Sequence, residues 1–142
     1  MTTNNTSLLG LALPVQGELS GTWGDVVNTS ITSLLDTAIA GTTTLSTDAD
    51  VTLSSTVLVA NQARSTVLLW TANGTATRYI TAPAQSKVYV VINKTAGTQS
   101  IVIRGVGPTT GITIPAGYSA IVAWNGSDFI TIANNISAGG TF

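Results

Sequence analysis

The 142-residue chain contains no cysteine and no histidine, and it has only five lysines and arginines against six aspartates and glutamates. Without cysteine there is no disulfide framework, no thiol nucleophile and no thiolate metal ligand. Without histidine the commonest general base and the commonest metal ligand are both missing. Charged residues make up 8% of the chain, whereas soluble domains usually carry about a quarter. With 44% hydrophobic residues, solubility must rest on Thr, Ser, Asn and Gln, which crowd every segment. A neutral polar surface repels copies of itself weakly, which suits a protein that packs beside many copies. A small extracellular domain of unusual composition is the alternative. No apolar run approaches the ~20 residues of a membrane span. The opening MTTNNTSLLGLALPV has no basic n-region and too short an apolar run for a signal peptide, so the chain is expected to be made, and left, in a cytoplasm.

The few charges are unevenly placed. Glu18, Asp25, Asp36, Asp48 and Asp50 precede every basic residue; Arg64, Arg78, Lys87, Lys94 and Arg104 follow, opposed by Asp128. An acidic front and a basic middle attract, within one chain or between neighbours; the alternative is that each charge is solvated singly. Five basic residues scattered over strands make no nucleic-acid footprint.

The polar residues 1–7 are expected to be disordered in isolation. Leu8–Val15 (LLGLALPV) is apolar but interrupted by Gly10 and Pro14, and reads as an extended arm. An apolar arm needs something to lie on, either its own domain or a neighbour. The next stretch, LSGTWGDVVNTSITSLLDTAIAG, carries the signals of one α-helix. Thr22 and Asp25 resemble a capping box, and Asp25 suits the positive end of the helix dipole. Val27, Ile31, Leu34, Leu35, Ala38 and Ile39 form an apolar stripe, and Gly41 sits where a C′ glycine belongs. Its Thr, Ser, Asn and β-branched residues are poor helix formers, so the stripe must dock, on its own sheet or in a trimeric bundle.

From Thr42 the pattern is β. TTTLST, DVTLSS, TVLLW (Thr66–Trp70), TRYIT (Thr77–Thr81), KVYVVIN (Lys87–Asn93), SIVIR (Ser100–Arg104), GITI, SAIVAWN (Ser119–Asn125) and DFITI alternate with Gly, Pro and Asn punctuation. Such spacing predicts a mainly β chain: an antiparallel β-sandwich or jelly-roll-like domain preceded by the arm and one α-helix. The organisation is an assembly segment over 1–41, a β-domain over 42–134 and a flexible tail over 135–142. Val88, Val90 and Ile92 are expected on the inward face of their strand, as are Ile101 and Ile103. Trp70, Trp124 and Phe129 are expected to anchor the core rather than stack on a ligand.

No catalytic constellation emerges. Serines abound, but none has an evident base beside it. Asp48 and Asp50 are the one close pair of carboxylates; a calcium or glycosidase role is weighed against two turn aspartates held by local hydrogen bonds, and the turn reading is preferred. Asn28, Asn73, Asn93, Asn125 and Asn135 open glycosylation triplets, read as chance matches in so Thr- and Ser-rich a chain. GVGPTTG lacks the lysine and the following helix of a phosphate loop. No cofactor and no metal are implied.

The run LGLALPVQGELSGTWGDVVNTSITSLLDTAIAGTTTLS resembles the N-terminal region of virion structural proteins of tailed bacteriophages. The segment ITAPAQSKVYVVINKTAGTQSIVIRGVGPTTGITIPAGYSAIVAWNGSDF is similar to them too, and its TIPAGYSAIVAWNGSDF resembles a β-hairpin ending of phage fibre and decoration modules. The resemblance spans about Leu9 to Phe129 and implies a virion location, on capsid or tail, after assembly in the host cytoplasm. With little sequence after Phe129 and no fibre repeat, it implies a non-enzymatic capsid decoration (cement) protein. Such a protein is expected to form a homotrimer and clamp neighbouring subunits of the major capsid protein. A short tail fibre or fibre adaptor is the alternative, and a carbohydrate-binding module with a groove at Trp124 or Tyr118 is a third reading. Neither nucleic acid nor membrane is an expected partner. The candidate contact residues are Leu8, Leu9, Leu11, Leu13, Val15 and Trp23, with Val27, Ile31, Leu34 and Leu35 of the stripe. Trp23, flanked by glycines at the helix start, is either a hot-spot anchor in a neighbour's pocket or a plug over its own domain.

Overall fold

Each of the nine β segments read from the sequence is a strand in the computed structural model, which describes residues 4–107 and 109–134. The expected tail, 135–142, lies outside the described residues. Before the nine strands come β1 (Asn4–Asn5) and β2 (Ala12–Leu13), then a helical segment. The nine are β3 (Thr42–Leu45), β4 (Val51–Thr52), β5 (Val67–Trp70), β6 (Arg78–Thr81), β7 (Val88–Asn93), β8 (Ile101–Arg104), β9 (Ile112–Ile114), β10 (Ser119–Trp124) and β11 (Phe129–Asn134).

The pairing differs from the antiparallel jelly roll that the spacing suggests. One sheet has the order β11-β10-β7-β5-β3 and the other β4-β6-β8-β9. Within them β3, β5 and β7 run parallel, as do β4, β6 and β8. The chain therefore coils, laying successive strands alternately in the two sheets. After β8 it reverses: β9 pairs antiparallel with β8, β10 with β7 and β11 with β10. Short links alone do not distinguish the two topologies. A hairpin link returns the chain to the same sheet, whereas here residues 46–50, 71–77 and 94–100 each carry it across to the other sheet. The same apolar strands serve either path.

The two sheets close on one core. Leu68, Trp70, Tyr89, Val91, Val122 and Phe129 come from the first sheet, and Ile80, Ile101, Ile103 and Ile114 from the second; all are at most 2% exposed. Ile101 and Ile103 thus face inward as expected, and Trp70 and Phe129 are core anchors. Trp124 packs edge-on against Phe129, with ring centroids 5.5 Å apart, and lies over Gly105, where a side chain would collide with its six-membered ring. It is no open stacking platform.

Strand β7 corrects the expected register. Val88 is exposed and Val90 and Ile92 are half-buried, while Tyr89, Val91 and Asn93 face the core. KVYVVIN is apolar on both faces, so alternation does not decide its phase. Hydrogen bonds do: Tyr89 donates its hydroxyl to Ala63 O (2.8 Å), and Asn93 Nδ2 donates to Gln99 O (2.8 Å) and Ile114 O (3.0 Å). Those buried polar atoms find partners only with this face inward.

The helical segment is continuous: α1 (Trp23–Val27), a π-helical turn (Asn28–Thr32) and α2 (Ser33–Ala40). Ser33 Oγ donates to Asn28 O, five residues back (2.8 Å), which suits the wider turn. Two end signals act differently from expectation. Thr22 makes no side-chain capping bond. Gly41 is extended (φ −80°, ψ 154°) rather than left-handed. Its lack of a side chain matters because a Cβ would strike Thr37 O, which accepts the Gly41 N–H. No helix among the described residues is long and apolar enough to cross a membrane.

Candidate functional site

The three crossing links stack along one flank of the coil, and a polar network joins them. Asp48 Oδ1 accepts from Arg78 Nε (2.7 Å) and from Gln99 Nε2 (2.6 Å), and Gln99 Oε1 accepts from the buried Trp70 Nε1–H (2.9 Å). Asp50 Oδ1 accepts the Tyr79 N–H. The two aspartates are therefore held by partners distant in sequence, not by the local turn bonds expected. The Arg78 guanidinium and the Gln99 amide hold the Asp48 carboxyl below its ordinary range. The acidic front and basic middle do meet here within one chain, in the Asp48–Arg78 ion pair. No group of three or more His, Cys, Asp or Glu suited to a metal lies among the described residues.

A third carboxylate, Asp128, ties the loop after β8 to the start of β11. Burial raises its pKa, but the backbone N–H groups of Gly111, Phe129, Gly105 and Thr110 outweigh that, and the net shift is downward. All three carboxylates fasten loops.

The opposite flank, made by the return links 53–66 and 82–87, carries the N-terminal arm. Strands β1 and β2 pair antiparallel, so residues 4–13 form a small hairpin rather than a simple extended arm. Its turn is fixed to the domain through the main chain. Gln85 Nε2 donates to Leu8 O (2.7 Å), Arg64 Nη1 to Leu9 O (2.7 Å) and the Leu58 N–H to Gly10 O (2.7 Å). Gly10 has φ +60°, and a Cβ there would lie 2.7 Å from Val57 Cγ1. Close approach at Gly10 is thus what seats the hairpin.

The side chains of this anchored segment point elsewhere. Leu8 is 70% exposed, Trp23 55% and Leu13 47%, and Leu9 and Val15 are exposed as well. Leu11, Val27, Ile31 and Leu35 are half-buried, while Leu34 is buried, at 2%. Of the ten residues singled out from the sequence, Leu34 alone is taken fully into the chain's own packing. Trp23 does not plug its own domain. Ile39, assigned to the docked stripe, is 77% exposed: five residues beyond the buried Leu34 in the same helix, it lies about 140° around the axis from it. Sequence reasoning missed Val57 and Val59, exposed beside the arm. It also missed the outer face of the larger sheet, where Val88, Ile121, Ile130 and Ile132 remain exposed.

Beneath the arm lie two cations. Arg64 is 4% exposed, and its Nη2 donates to Val59 O (3.1 Å) in addition to the Leu9 bond. Lys87 Nζ donates to the carbonyls of Ala63, Arg64 and Ser65 and lies 4.8 Å from the Tyr89 ring centroid. Burial, then the neighbouring Arg64 charge, lowers the Lys87 pKa to about 8. Burial also pushes Arg64 down and the Tyr89 hydroxyl up. These cations are not singly solvated, and among the described residues neither is paired with an acid; the lysine acts as a three-carbonyl clamp on the turn that holds the arm.

No protein-family model matches the chain, and the searches of curated proteins and of solved structures return no match.

Proposed function

We propose that this protein is a non-enzymatic virion structural component, a capsid decoration protein that assembles as a homotrimer and binds neighbouring capsid subunits through its N-terminal segment. One observation carries the reading. The arm's main chain is fastened to its own domain while its large apolar side chains, led by Leu8 and Leu13, face solvent, as does Trp23 at the start of the helix that follows. Such anchoring keeps the segment ordered before it meets a partner, so less conformational entropy is lost on docking. Burial of this apolar surface supplies the attraction, and repetition over a lattice lets weak contacts suffice. The resemblance of the chain to phage virion proteins supports the virion part of the proposal. The exposed sheet face around Ile121 and Ile130 offers the uncharged surface that self-association needs.

A short tail fibre or fibre adaptor is the second reading. The parallel coil favours it, because that architecture lengthens by repetition along one axis.

The test is a Leu8→Asp/Leu13→Asp/Trp23→Asp variant, which leaves the main-chain anchors in place. It is expected to fold as the parent does and to lose binding to particles. If it decorates particles to the parental level, the arm is not the contact. Copy number per particle separates the readings: hundreds for decoration, a few to a few dozen for a tail part.

A further inference from the structure

Arg64 poses an electrostatic problem. Its guanidinium is buried, and among the described residues its Nε has no hydrogen-bond partner and no carboxylate is paired with it. Lys87 brings a second positive charge to the same cleft. Buried charges in proteins are ordinarily paired, and an uncompensated one is costly. The lysine's three donors are committed to carbonyls, but a dipole contact does not neutralise the net charge.

The cleft that Arg64 and Lys87 line is also walled by Ser7, Ser55, Asn61 and Gln85, with a volume of about 60 Å³. Sites for drug-sized ligands run to about 300–1,000 Å³. This one has room for a single small group and none for a nucleotide or a sugar chain. Its lining includes no Asp or Glu. We propose that the cleft between the hairpin turn and the 53–66 link is a binding site for a small oxyanion, paired with Arg64 and Lys87. An oxyanion there supplies the acceptor that Arg64 Nε lacks and the negative charge that both cations lack, and the serine hydroxyls on the wall suit its remaining oxygens. Because Arg64 also holds Leu9 O, occupancy tightens the seat of the arm.

The experiment uses the full chain, isotopically labelled, at constant ionic strength. Sodium sulfate is titrated in while the Arg64 Nε–H resonance and the thermal midpoint are followed. Sodium acetate in a parallel series reports whether a carboxylate, such as a side chain of another protein, suffices. A saturable shift with either oxyanion, accompanied by a rise in midpoint, supports the site; chloride alone is expected to leave both readouts unchanged. Lys87→Met is expected to weaken binding about tenfold, as loss of one close charge implies. If that variant fails to fold, the parent decides the matter by pH. Arg64 and Tyr89 are the charged and titratable groups that face Lys87; between pH 7 and pH 9.5 a guanidinium keeps its proton, and burial pushes the Tyr89 hydroxyl up, away from that range. Sulfate keeps its charge there as well, so its affinity falls as the lysine is neutralised. The absence of a saturable shift with both oxyanions, an equal shift with chloride, undiminished binding by folded Lys87→Met, or a pH-independent affinity each overturns the proposal.

Discussion

Gln99 is fully buried, and its side-chain amide reaches three different parts of the chain: Trp70 Nε1, Asp48 Oδ1 and Ala76 O. No composition or periodicity argument picks it out, because its partners lie 29, 51 and 23 residues away. Gln99→Leu leaves the Trp70 N–H without its acceptor in the core. A loss of about 2–4 kcal/mol in unfolding free energy is expected by chemical denaturation. Lys87 gives a second expectation at this scale. Its folded pKa of about 8 lies below the ordinary lysine value of 10.5, so between those values the unfolded chain binds more protons than the folded one. Stability therefore rises with pH through that window. Ionisation of Tyr89, favoured in the unfolded chain, opposes the rise toward its upper end. Asp48 acts in the acid range: its depressed pKa gives a contribution present above about pH 4 and lost as pH falls further. Denaturation midpoints of the parent, Lys87→Met and Asp48→Asn across pH separate the two, since each variant loses one limb. The reading of lone, solvated cations fails at Arg64 and Lys87 because their partners are main-chain carbonyls, and every residue type carries one of those.

Elements were more legible than their contacts. The nine β segments are visible because turn residues punctuate β-branched runs, and the helix is visible through its stripe. The π-turn was hidden: the bond that accompanies it, from the Ser33 hydroxyl to Asn28 O, has no signature in the apolar stripe. So was the arm's anchoring, whose bonds link residues 55 and 77 apart. The hairpin makes a sharp prediction. Gly10→Ala places a Cβ against Val57 at φ +60°. It is expected to cost about 1–3 kcal/mol and to release the arm. Proteolysis at residues 4–20 should accelerate well before the β-sheets unfold.

For the whole molecule, strand existence was readable and strand order was not, as parallel coiling and antiparallel meandering demand the same local chemistry. Their kinetics differ, because the parallel pairs β3·β5·β7 and β4·β6·β8 join residues far apart in sequence. Such topologies fold slowly. Hydrogen exchange is expected to be slowest in β5, β6, β7, β8 and β10, which have neighbours on both sides, and faster in β3 and β4 at the open end. Equal protection in β3 and β7 would contradict this ordering. Val67 pairs with Val90 and Ile80 with Ile103, 23 residues apart in each case. A tandem copy of 67–89 inserted in frame thus adds one rung to both sheets at once and raises the stack by about 4.8 Å. The gene for such a chain gains length in whole storeys by simple duplication, with no new topology to invent.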